Sequence, residues 1–356
     1  MQSIVITGAT GLVGSGLTRL FLSQGSKVTA LTRGASDEDA RERLKNCLFE
    51  QFRIDRVVPP ESMEDQLEVL SVDITDAKAM KRLSKHLDAD YDAFFHSAAC
   101  VNFIDEDQCQ RVNIEGSRNT IDLVKQLRVK RYNHLSTAFI AGAFKGEIKE
   151  DVMPPRETQN AYEDTKYESE LLLRRERELP FTVLRPSIIV GSGKDGSIRS
   201  FKNFYLIVRY FARLAKRRKP PLRFPGKGDG RINLVPIDYV TRACELIGRK
   251  DCERKTYHIV NTAPPTTKEI ITAIESALGS PCVQFMGSEM KANEDELATQ
   301  ARFQEFMPYF FGSPSFELKS VKESLPDSLI GDSKLGVGAL ERLTKYYLQE
   351  NSKKRT

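Results

Sequence analysis

The sequence lacks the patterns that mark metal-binding and membrane-spanning proteins. Its six cysteines form no CxxC pair, and they have no histidine partner at metal-ligand spacing in a chain with only four histidines. No apolar run approaches the ~20 residues that a membrane-spanning helix needs. We therefore expect reduced thiols, no bound metal and no membrane span.

The chain also lacks a nucleic-acid-binding module. Its net charge of +5 is mild, although the run Arg213–Lys219 and the tail Lys353–Arg355 are sharply basic. Such a run is typical of a solvated surface, and the alternative is a docking site for an acidic partner or a phosphate-bearing ligand. Because the first candidate strand starts at Ser3, we expect no signal peptide and a soluble, cytoplasmic protein.

What the sequence does contain is an alternation of short apolar runs with longer amphipathic ones, which predicts a parallel sheet flanked by helices. The candidate strands are Ser3–Thr7, Lys27–Thr32, Glu68–Val72, Ala93–Ser97, Tyr132–Ser136, Phe181–Leu184 and Thr256–Val260. The candidate helices are Leu12–Ser23, Asp37–Phe52, Ala77–His86, Ile114–Leu127 and Ala161–Arg175. The expected fold class is α/β with a doubly wound parallel sheet.

The pattern loosens after Arg185, where a Gly/Ser-rich loop precedes an aromatic helix at Phe201–Lys216. Alternation returns at residues 233–238, and Thr266 with Glu269 forms a capping box for a later helix. We predict a nucleotide-binding domain of residues 1–186 plus about 234–262. Residues 187–233 plus 263–356 are expected to form a smaller, discontinuous C-terminal substrate lobe.

A glycine turn, Thr7-Gly-Ala-Thr-Gly-Leu-Val-Gly14, joins the first strand to the first helix. Gly8 suits a tight turn, Gly11 lets the backbone approach a pyrophosphate, and Gly14 lets the helix pack closely on the sheet. The helix N-terminus then faces the anion. The residues predicted to contact a dinucleotide here are Thr7, Gly8, Thr10, Gly11, Leu12, Val13 and Gly14.

The end of the second strand indicates which dinucleotide binds. An Asp or Glu that would hold a ribose 2′-hydroxyl is missing there, and Arg33 follows the strand, with Arg43 on the next helix. A guanidinium suits a 2′-phosphate, so we predict NADP(H) rather than NAD(H), although Arg33 could instead stack on the adenine. Further cofactor contacts are predicted at Asp73, Ile74, Ser97, Ala98 and Ala99.

Tyr162 and Lys166 form a YxxxK pair on a candidate helix, where the i, i+4 spacing puts both side chains on one face. The ammonium is expected to lower the pKa of the phenol, which could then donate a proton to a carbonyl oxygen as hydride arrives. Thr137 follows the fifth strand, and Asn113 is expected to open the helix after the fourth. We predict that these four residues form the catalytic site.

With these motifs, the chain from Ser3 to about Val260 resembles an extended short-chain dehydrogenase/reductase with a Rossmann-type sheet. The resemblance implies that Tyr162 is the acid/base and that Lys166 binds the ribose and lowers the phenol pKa. It also implies that Thr137 polarises the carbonyl and that Asn113 supports a proton-relay water.

Four stretches are similar to a narrower branch, the thioester reductases and fatty acyl-CoA reductases. They are His96–Asn102, Leu135–Gly142, Asn160–Glu170 and Leu184–Gly191. The branch implies NADPH-dependent reduction of an acyl thioester, on CoA or a carrier protein, to an aldehyde or alcohol. It also implies cofactor contacts at Pro186, Ser187 and Ile188, and an acidic carrier protein as the partner for residues 213–219.

Two alternatives remain open from the sequence. The same residues would serve a carbonyl reductase, or an epimerase acting on a nucleotide sugar or a lipid-like alcohol. A catalytically silent NADPH-binding scaffold is the other, although such a protein usually loses the tyrosine or the lysine. The aromatic helix beside the basic run suits an acyl chain on a phosphopantetheine arm, or equally a packed core next to a solvated face.

Overall fold

The computed structural model describes residues 2–87, 90–217, 221–250, 254–287, 296–297, 312 and 314–353. The strands are β1 (Ser3–Thr7), β2 (Lys27–Thr32), β3 (Leu67–Ser71), β4 (Asp90–Tyr91), β5 (Ala93–His96), β6 (Arg128–Val129), β7 (Tyr132–Leu135), β8 (Glu147–Ile148), β9 (Phe181–Pro186), β10 (Ile188–Val190), β11 (Leu222–Phe224), β12 (Leu234–Pro236), β13 (Lys255–Ile259), β14 (Val283–Phe285) and β15 (Ser315–Phe316).

The α-helices are α1 (Leu12–Ser23), α2 (Asp37–Asp55), α3 (Met63–Gln66), α4 (Ala77–Leu83), α5 (Glu106–Cys109), α6 (Gly116–Gln126), α7 (Ala161–Arg175), α8 (Phe204–Lys216), α9 (Ile237–Gly248), α10 (Thr267–Leu278), α11 (Lys319–Ser324), α12 (Asp327–Gly331) and α13 (Val337–Lys353). A π-helical segment, Gln110–Glu115, joins α5 to α6, and a 3-10 turn spans Ala138–Ala141. In the described part of the chain, no helix is long and apolar enough to cross a membrane.

Seven strands form one parallel sheet in the order β3-β2-β1-β5-β7-β9-β13. The chain builds outward from β1 in one direction through β3, then returns to the other side of β1 with β5. Such a reversal leaves a crevice at the carboxyl ends of β1 and β5, where ligands of open α/β sheets bind. The predicted α/β fold class is confirmed, and each predicted sheet strand is present with bounds shifted by at most two residues.

The chain divides into two compact units. The first comprises residues 1–186, 240–259 and 316–326, and the second comprises 187–239, 260–315 and 327–356. The segment Phe316–Pro326, which the sequence assigned to the substrate lobe, thus groups with the sheet. Its Ser320 N–H donates at 2.7 Å to the buried carboxylate of Glu150, and its Glu317 carbonyl hydrogen-bonds His258 of β13 at 2.9 Å.

The first unit has an apolar core on the sheet. Phe94, Tyr132 and Val183, on three adjacent strands, are completely buried and pack with Ile121 and Val124 of α6. Burying large apolar side chains in this way is the main term that stabilises a domain. The core therefore fixes the strand ends that carry the site described below.

The second unit has an aromatic core. Phe201 lies 5.0 Å from Tyr205 and 5.1 Å from Tyr347 of α13, measured between ring centroids. Phe204, Tyr205, Val208 and Phe211 of α8 are buried, so the apolar face of the aromatic helix packs in this core. The helix begins at Phe204 rather than Phe201, and the predicted capping box of Thr266 and Glu269 is present at α10.

Candidate active site

The glycine turn between β1 and α1 is built from close backbone contacts. Gly8 has a φ of +68°, and a Cβ there would lie 2.6 Å from the backbone nitrogen of Ala98. A Cβ on Gly14 would lie 2.2 Å from the Gly8 carbonyl oxygen, which also accepts the Gly11 N–H at 2.8 Å. Side chains would therefore collide with backbone at Gly8 and Gly14.

The first turn of α1 can receive an anion. The helix begins after the exposed Gly11, which supplies no side-chain cap, and its first turn has no acidic residue. The N–H groups there keep a partial positive charge that fits the pyrophosphate of a dinucleotide. Of the other predicted contacts, Thr10 and Leu12 are partly exposed, whereas Val13 is buried.

Thr7 is buried and joins β1 to the end of β5. Its hydroxyl hydrogen-bonds Nδ1 of His96 at 2.8 Å and accepts the Ala98 N–H at 3.3 Å. Ser97 is partly exposed and Ala99 is exposed. Thr7 thus holds the backbone of residues 97–99 against the glycine turn, instead of presenting its own hydroxyl to solvent.

Two exposed arginines lie after β2, where a 2′-phosphate was predicted. The Arg43 guanidinium donates to the backbone carbonyl of Arg33. Within the described residues the Arg33 guanidinium has no hydrogen-bond or ion-pair partner. Arg41, by contrast, is paired with Glu64 at 2.9 Å. The positions of Arg33 and Arg43 fit a phosphate ligand, whereas Arg41 already has a carboxylate partner.

The predicted adenine contacts differ in exposure. The Asp73 side chain is partly exposed and accepts the Thr75 N–H at 2.9 Å. The Ile74 side chain is buried in the apolar core, and its carbonyl accepts from Asn119 at 2.8 Å. The Ile74 side chain therefore serves the core, which the sequence did not indicate.

Helix α7 carries the tyrosine and the lysine one turn apart. The helix begins after Asn160, whose side chain accepts the Glu163 N–H at 3.0 Å as an N-cap. Tyr162 therefore lies in the first turn. Lys166 is buried, and its Nζ donates to the Leu135 carbonyl at 2.6 Å.

The Tyr162 phenol hydrogen-bonds Thr137, which lies two residues after the end of β7 and caps the 3-10 turn. The Thr137 hydroxyl also accepts the Phe139 N–H at 3.2 Å and faces the Pro186 carbonyl at 3.5 Å. The structure thus brings two of the predicted catalytic hydroxyl groups together at the carboxyl end of the sheet. A carbonyl oxygen placed between them would meet two donors.

The expected lowering of the phenol pKa by Lys166 is wrong for this structure. Although Tyr162 keeps some exposed surface, desolvation raises its pKa to about 12, and the hydrogen bond with Thr137 opposes that rise. Burial lowers the pKa of Lys166 to about 8, opposed by Glu170. The lysine ammonium donates its hydrogen bond to the Leu135 carbonyl. The phenol pKa is dominated by desolvation, which the sequence does not reveal.

Asn113 lies inside a continuous helical stretch that begins at Glu106, not at the start of a helix as predicted. Its carboxamide accepts the Cys100 N–H at 2.8 Å and donates to the Cys100 carbonyl at 3.0 Å. It also donates to the Thr165 hydroxyl of α7 at 2.9 Å. Asn113 therefore fixes α7 and the loop after β5, and its support of a relay water stays a prediction.

A buried polar chain that sequence reasoning missed connects the glycine turn to α7. Nε2 of His96 hydrogen-bonds Ser117 at 3.0 Å, and Ser117 bonds Ser169 of α7 at 3.0 Å. Ser169 in turn bonds Nε2 of His134 at 3.1 Å. Burial, reinforced by the Lys166 charge, lowers the pKa of His96 to about 3 and that of His134 in the same direction. Both imidazoles are therefore neutral at ordinary pH.

A buried ion-pair network, also missed, anchors α7 to β9. Glu170 pairs with Arg185, and both side chains are fully buried. The carboxylate also accepts from Ser136 at 2.9 Å and pairs with Arg174 at 2.7 Å. Burial would raise the pKa of Glu170, but the two arginines outweigh it and hold the pKa at about 2. The charge of Glu170 was visible in the sequence, but its distant partners were not.

The remaining predicted residues are dispersed. Pro186 is buried at the end of β9 in the first unit, whereas Ser187 and Ile188 belong to the second, where both bond Asn233. In the basic run, Arg213, Lys216 and Arg217 are exposed. Arg218, Lys219, Lys354 and Arg355 lie outside the described residues, as does Cys252. None of the five described cysteines is in a disulfide, and the described residues contain no metal-ligand cluster.

The sequence and the fold of this chain are similar to those of known proteins. The family model described as Male sterility protein, an NAD-binding model, matches residues 6–244. A linear gramicidin synthase of Brevibacillus parabrevis is 24% identical over 292 residues. That match covers 77% of this chain and 5% of the synthase, so the chain spans a small part of this relative's length.

Two solved structures share the fold. The terminal R domain from the myxalamid PKS-NRPS biosynthetic pathway has a TM-score of 0.78 at 20% identity, covering 99% of this chain and 92% of that one. A thiolation-reductase di-domain from an archaeal non-ribosomal peptide synthetase has a TM-score of 0.72 at 18% identity, covering 99% and 91% respectively. At these identities the likeness shows the fold.

Proposed function

Because the chain belongs to the Male sterility protein family and is an NAD(P)-dependent oxidoreductase of the extended short-chain type, we propose that it reduces an acyl thioester with NADPH. The observation that carries the proposal is the hydrogen-bonded pair of Thr137, just beyond β7, and Tyr162, in the first turn of α7. The strand end that precedes Thr137 is on the same sheet edge as the glycine turn. The similarity to a thiolation-reductase di-domain supports a thioester substrate on a carrier.

The choice of NADPH over NADH rests on charge. Arg33 and Arg43 present guanidinium groups after β2, and residues 32–36, at the end of that strand, include no acid to bind a ribose 2′-hydroxyl. Bidentate, charge-assisted hydrogen bonds are the interaction that a phosphate monoester would make with such groups. NADPH, when bound, supplies the hydride.

The residues of this chain provide the rest of the chemistry. Thr137 and Tyr162 hydrogen-bond the thioester oxygen and stabilise the negative charge that develops as the carbonyl carbon accepts hydride. With a pKa of about 12, Tyr162 is protonated at neutral pH and can give its proton to that oxygen. The carbon–sulfur bond of the resulting hemithioacetal then breaks, which releases an aldehyde and a thiol.

The substrate is proposed to arrive on CoA or on an acidic carrier protein. The exposed cations Arg213, Lys216 and Arg217 support this, since a basic surface attracts phosphates and acidic proteins. Whether the product is the aldehyde or the alcohol depends on a second hydride transfer at the same hydroxyl pair.

The direct test incubates the protein with NADPH and acyl-CoAs of several chain lengths, and follows the loss of NADPH absorbance together with thiol release. Equal amounts of NADPH oxidised and thiol released are expected for aldehyde formation, and a two-to-one ratio for the alcohol. Turnover of simple aldehydes or ketones without any thioester would instead support a carbonyl reductase. Tightly bound NAD released on denaturation would support an epimerase.

A further inference from the structure

The last part of the loop between β5 and α5, residues 100–105, exposes apolar side chains close in sequence to Phe103, which contacts Tyr162. Val101 and Ile104 keep 47% and 75% of their surface exposed. Phe103, between them in the chain, places its ring centroid 6.1 Å from that of Tyr162. Because consecutive Cα atoms are about 3.8 Å apart, Val101 and Ile104 lie within roughly 8 Å of the Phe103 backbone.

Both ends of this 100–105 loop are fixed by hydrogen bonds. At its start, the Asn113 carboxamide bonds both backbone groups of Cys100. At its end, the Asn102 side chain accepts the N–H groups of Ile104 at 3.0 Å and Asp105 at 3.2 Å.

The middle of the loop is fixed as well. The thiol of Cys109 donates to the Asn102 carbonyl at 3.0 Å, and the Ala161 N–H of α7 donates to the Phe103 carbonyl at 3.4 Å. The last contact ties the loop to the residue that precedes Tyr162. The apolar side chains are therefore presented by a pre-organised backbone, and a ligand that binds them need not order the loop.

Exposed apolar side chains on a hydrogen-bonded loop that contacts a reactive group are candidates for a ligand-binding surface. In the proposed substrate, the acyl chain is attached to the carbonyl carbon whose oxygen receives the Tyr162 proton. We propose that Val101 and Ile104 bind the apolar part of this acyl chain and set the preference for its length. The inference rests on the proposed function and names the residues that select the substrate.

The expected effect follows from the transfer of methylene groups out of water. Each CH₂ that is fully buried against an apolar wall raises affinity up to about fourfold. kcat/KM should therefore rise with chain length along an acyl-CoA series until the chain passes the loop. A polar side chain in place of Val101 or Ile104 should flatten that rise.

The experiment measures kcat/KM for acetyl-, butyryl-, hexanoyl-, octanoyl- and decanoyl-CoA with the full chain and NADPH. Val101→Ser, Ile104→Ser and their double variant are compared with Val58→Ser, a matched control that is 86% exposed and lies between α2 and α3. In the double variant the slope of log kcat/KM against chain length should fall by at least half, with a roughly tenfold loss for decanoyl-CoA. The loss should be smallest for acetyl-CoA, and Val58→Ser should keep the wild-type slope.

Three results would overturn the inference. One is a flat dependence on chain length in the wild type, and another is a double variant whose slope equals that of the wild type. The third is no turnover of these chain lengths either as acyl-CoA or on a carrier protein, which also removes the proposed function. Turnover with unchanged slopes removes only the role of the loop. Thermal unfolding curves of the variants should coincide with the wild type, since the replaced side chains are exposed.

Discussion

The two halves of the site in the first unit are built in different ways. Around the glycine turn, the surface proposed to face the cofactor is backbone, and its shape depends on the absence of side chains at Gly8 and Gly14. Around α7, the reactive groups are side chains, held by buried hydrogen bonds and the Glu170–Arg185 ion pair. Substitutions that add atoms should therefore impair the glycine-turn half of the site, where the cofactor is proposed to bind. Substitutions that remove atoms should impair the α7 half, where catalysis is proposed to occur. These are called the cofactor half and the catalytic half below.

The largest effect is expected from Tyr162→Phe, which removes one hydroxyl from the catalytic half. General acid catalysis typically contributes about 100- to 10,000-fold, so kcat should fall by that factor while NADPH affinity stays near the wild-type value. Tyr167→Phe on the same helix is the control, because that hydroxyl bonds only the Pro154 carbonyl among its described contacts, at 3.0 Å. Equal rates for Tyr162→Phe and the wild type would show that the site is assigned to the wrong residue.

Glu170→Gln should cost the most stability. It leaves the buried guanidinium of Arg185 without a countercharge, and breaking a buried ion pair costs about 3–5 kcal/mol. Urea unfolding should show this. Glu168→Gln is the control that changes little, because Glu168 is partly exposed and pairs with the exposed Arg156.

The same variant should change the pH dependence of stability. The folded pKa of Glu170 is held at about 2, below its ordinary value of 4.5, so its contribution is complete above pH 4.5. That contribution is lost as the pH falls through about 2. Wild-type unfolding free energy should thus decline more steeply than that of Glu170→Gln over this range. Parallel curves would contradict the ion-pair assignment.

An added atom in the cofactor half should have a smaller effect. The Cβ of Gly14→Ala would lie 2.2 Å from the Gly8 carbonyl oxygen, so the turn must shift, at a cost of about 1–3 kcal/mol. NADPH binding, measured by fluorescence titration, should weaken together with stability. Gly331→Ala is the matched control, since nothing lies within 4 Å of a Cβ there. If Gly14→Ala bound NADPH normally, the contrast between the two halves would not hold.

The smallest effect is expected from Arg33→Ala, an exposed side chain in the cofactor half. kcat/KM for NADPH should fall roughly tenfold, or about 1.4 kcal/mol, while the value for NADH changes little. Arg41→Ala serves as the control because Arg41 is paired with Glu64. A parallel loss with both cofactors would assign Arg33 to the adenine instead of the 2′-phosphate.

Local patterns made much of this arrangement predictable. The bounds of α1 and α7 match the prediction because their apolar spacing and the Asn160 cap are encoded within one helix. The glycine turn and the Tyr162–Lys166 spacing are likewise local. The resemblance to a reductase family, drawn from such motifs, is confirmed by the family match.

Long-range contacts and desolvation were not predictable. His96 and Ser117 are 21 residues apart, and Ser117 and Ser169 are 52 apart, so no spacing rule indicates that they meet. The direction of the Tyr162 pKa shift was wrong because it depends on how much water reaches the hydroxyl, which only the packed structure determines. The helix start expected at Asn113 was wrong because the helical stretch begins at Glu106 and a π-helical segment continues it past Asn113.

That π-helical segment, Gln110–Glu115, has a consequence for how the chain tolerates insertions and deletions. Each residue of an α-helix turns the side-chain direction by about 100° around the helix axis. The wider π-helical turn therefore changes the direction in which the side chains of α6 point relative to those of α5. Upstream of it the helix follows the loop beside Tyr162, and downstream it directs Ser117 and Ile121 into the interior. Removing one residue here would rotate α6 by about a quarter turn and bring a different face to the sheet. The gap pattern of this segment among relatives would therefore reveal which of them can retain the His96–Ser117 contact.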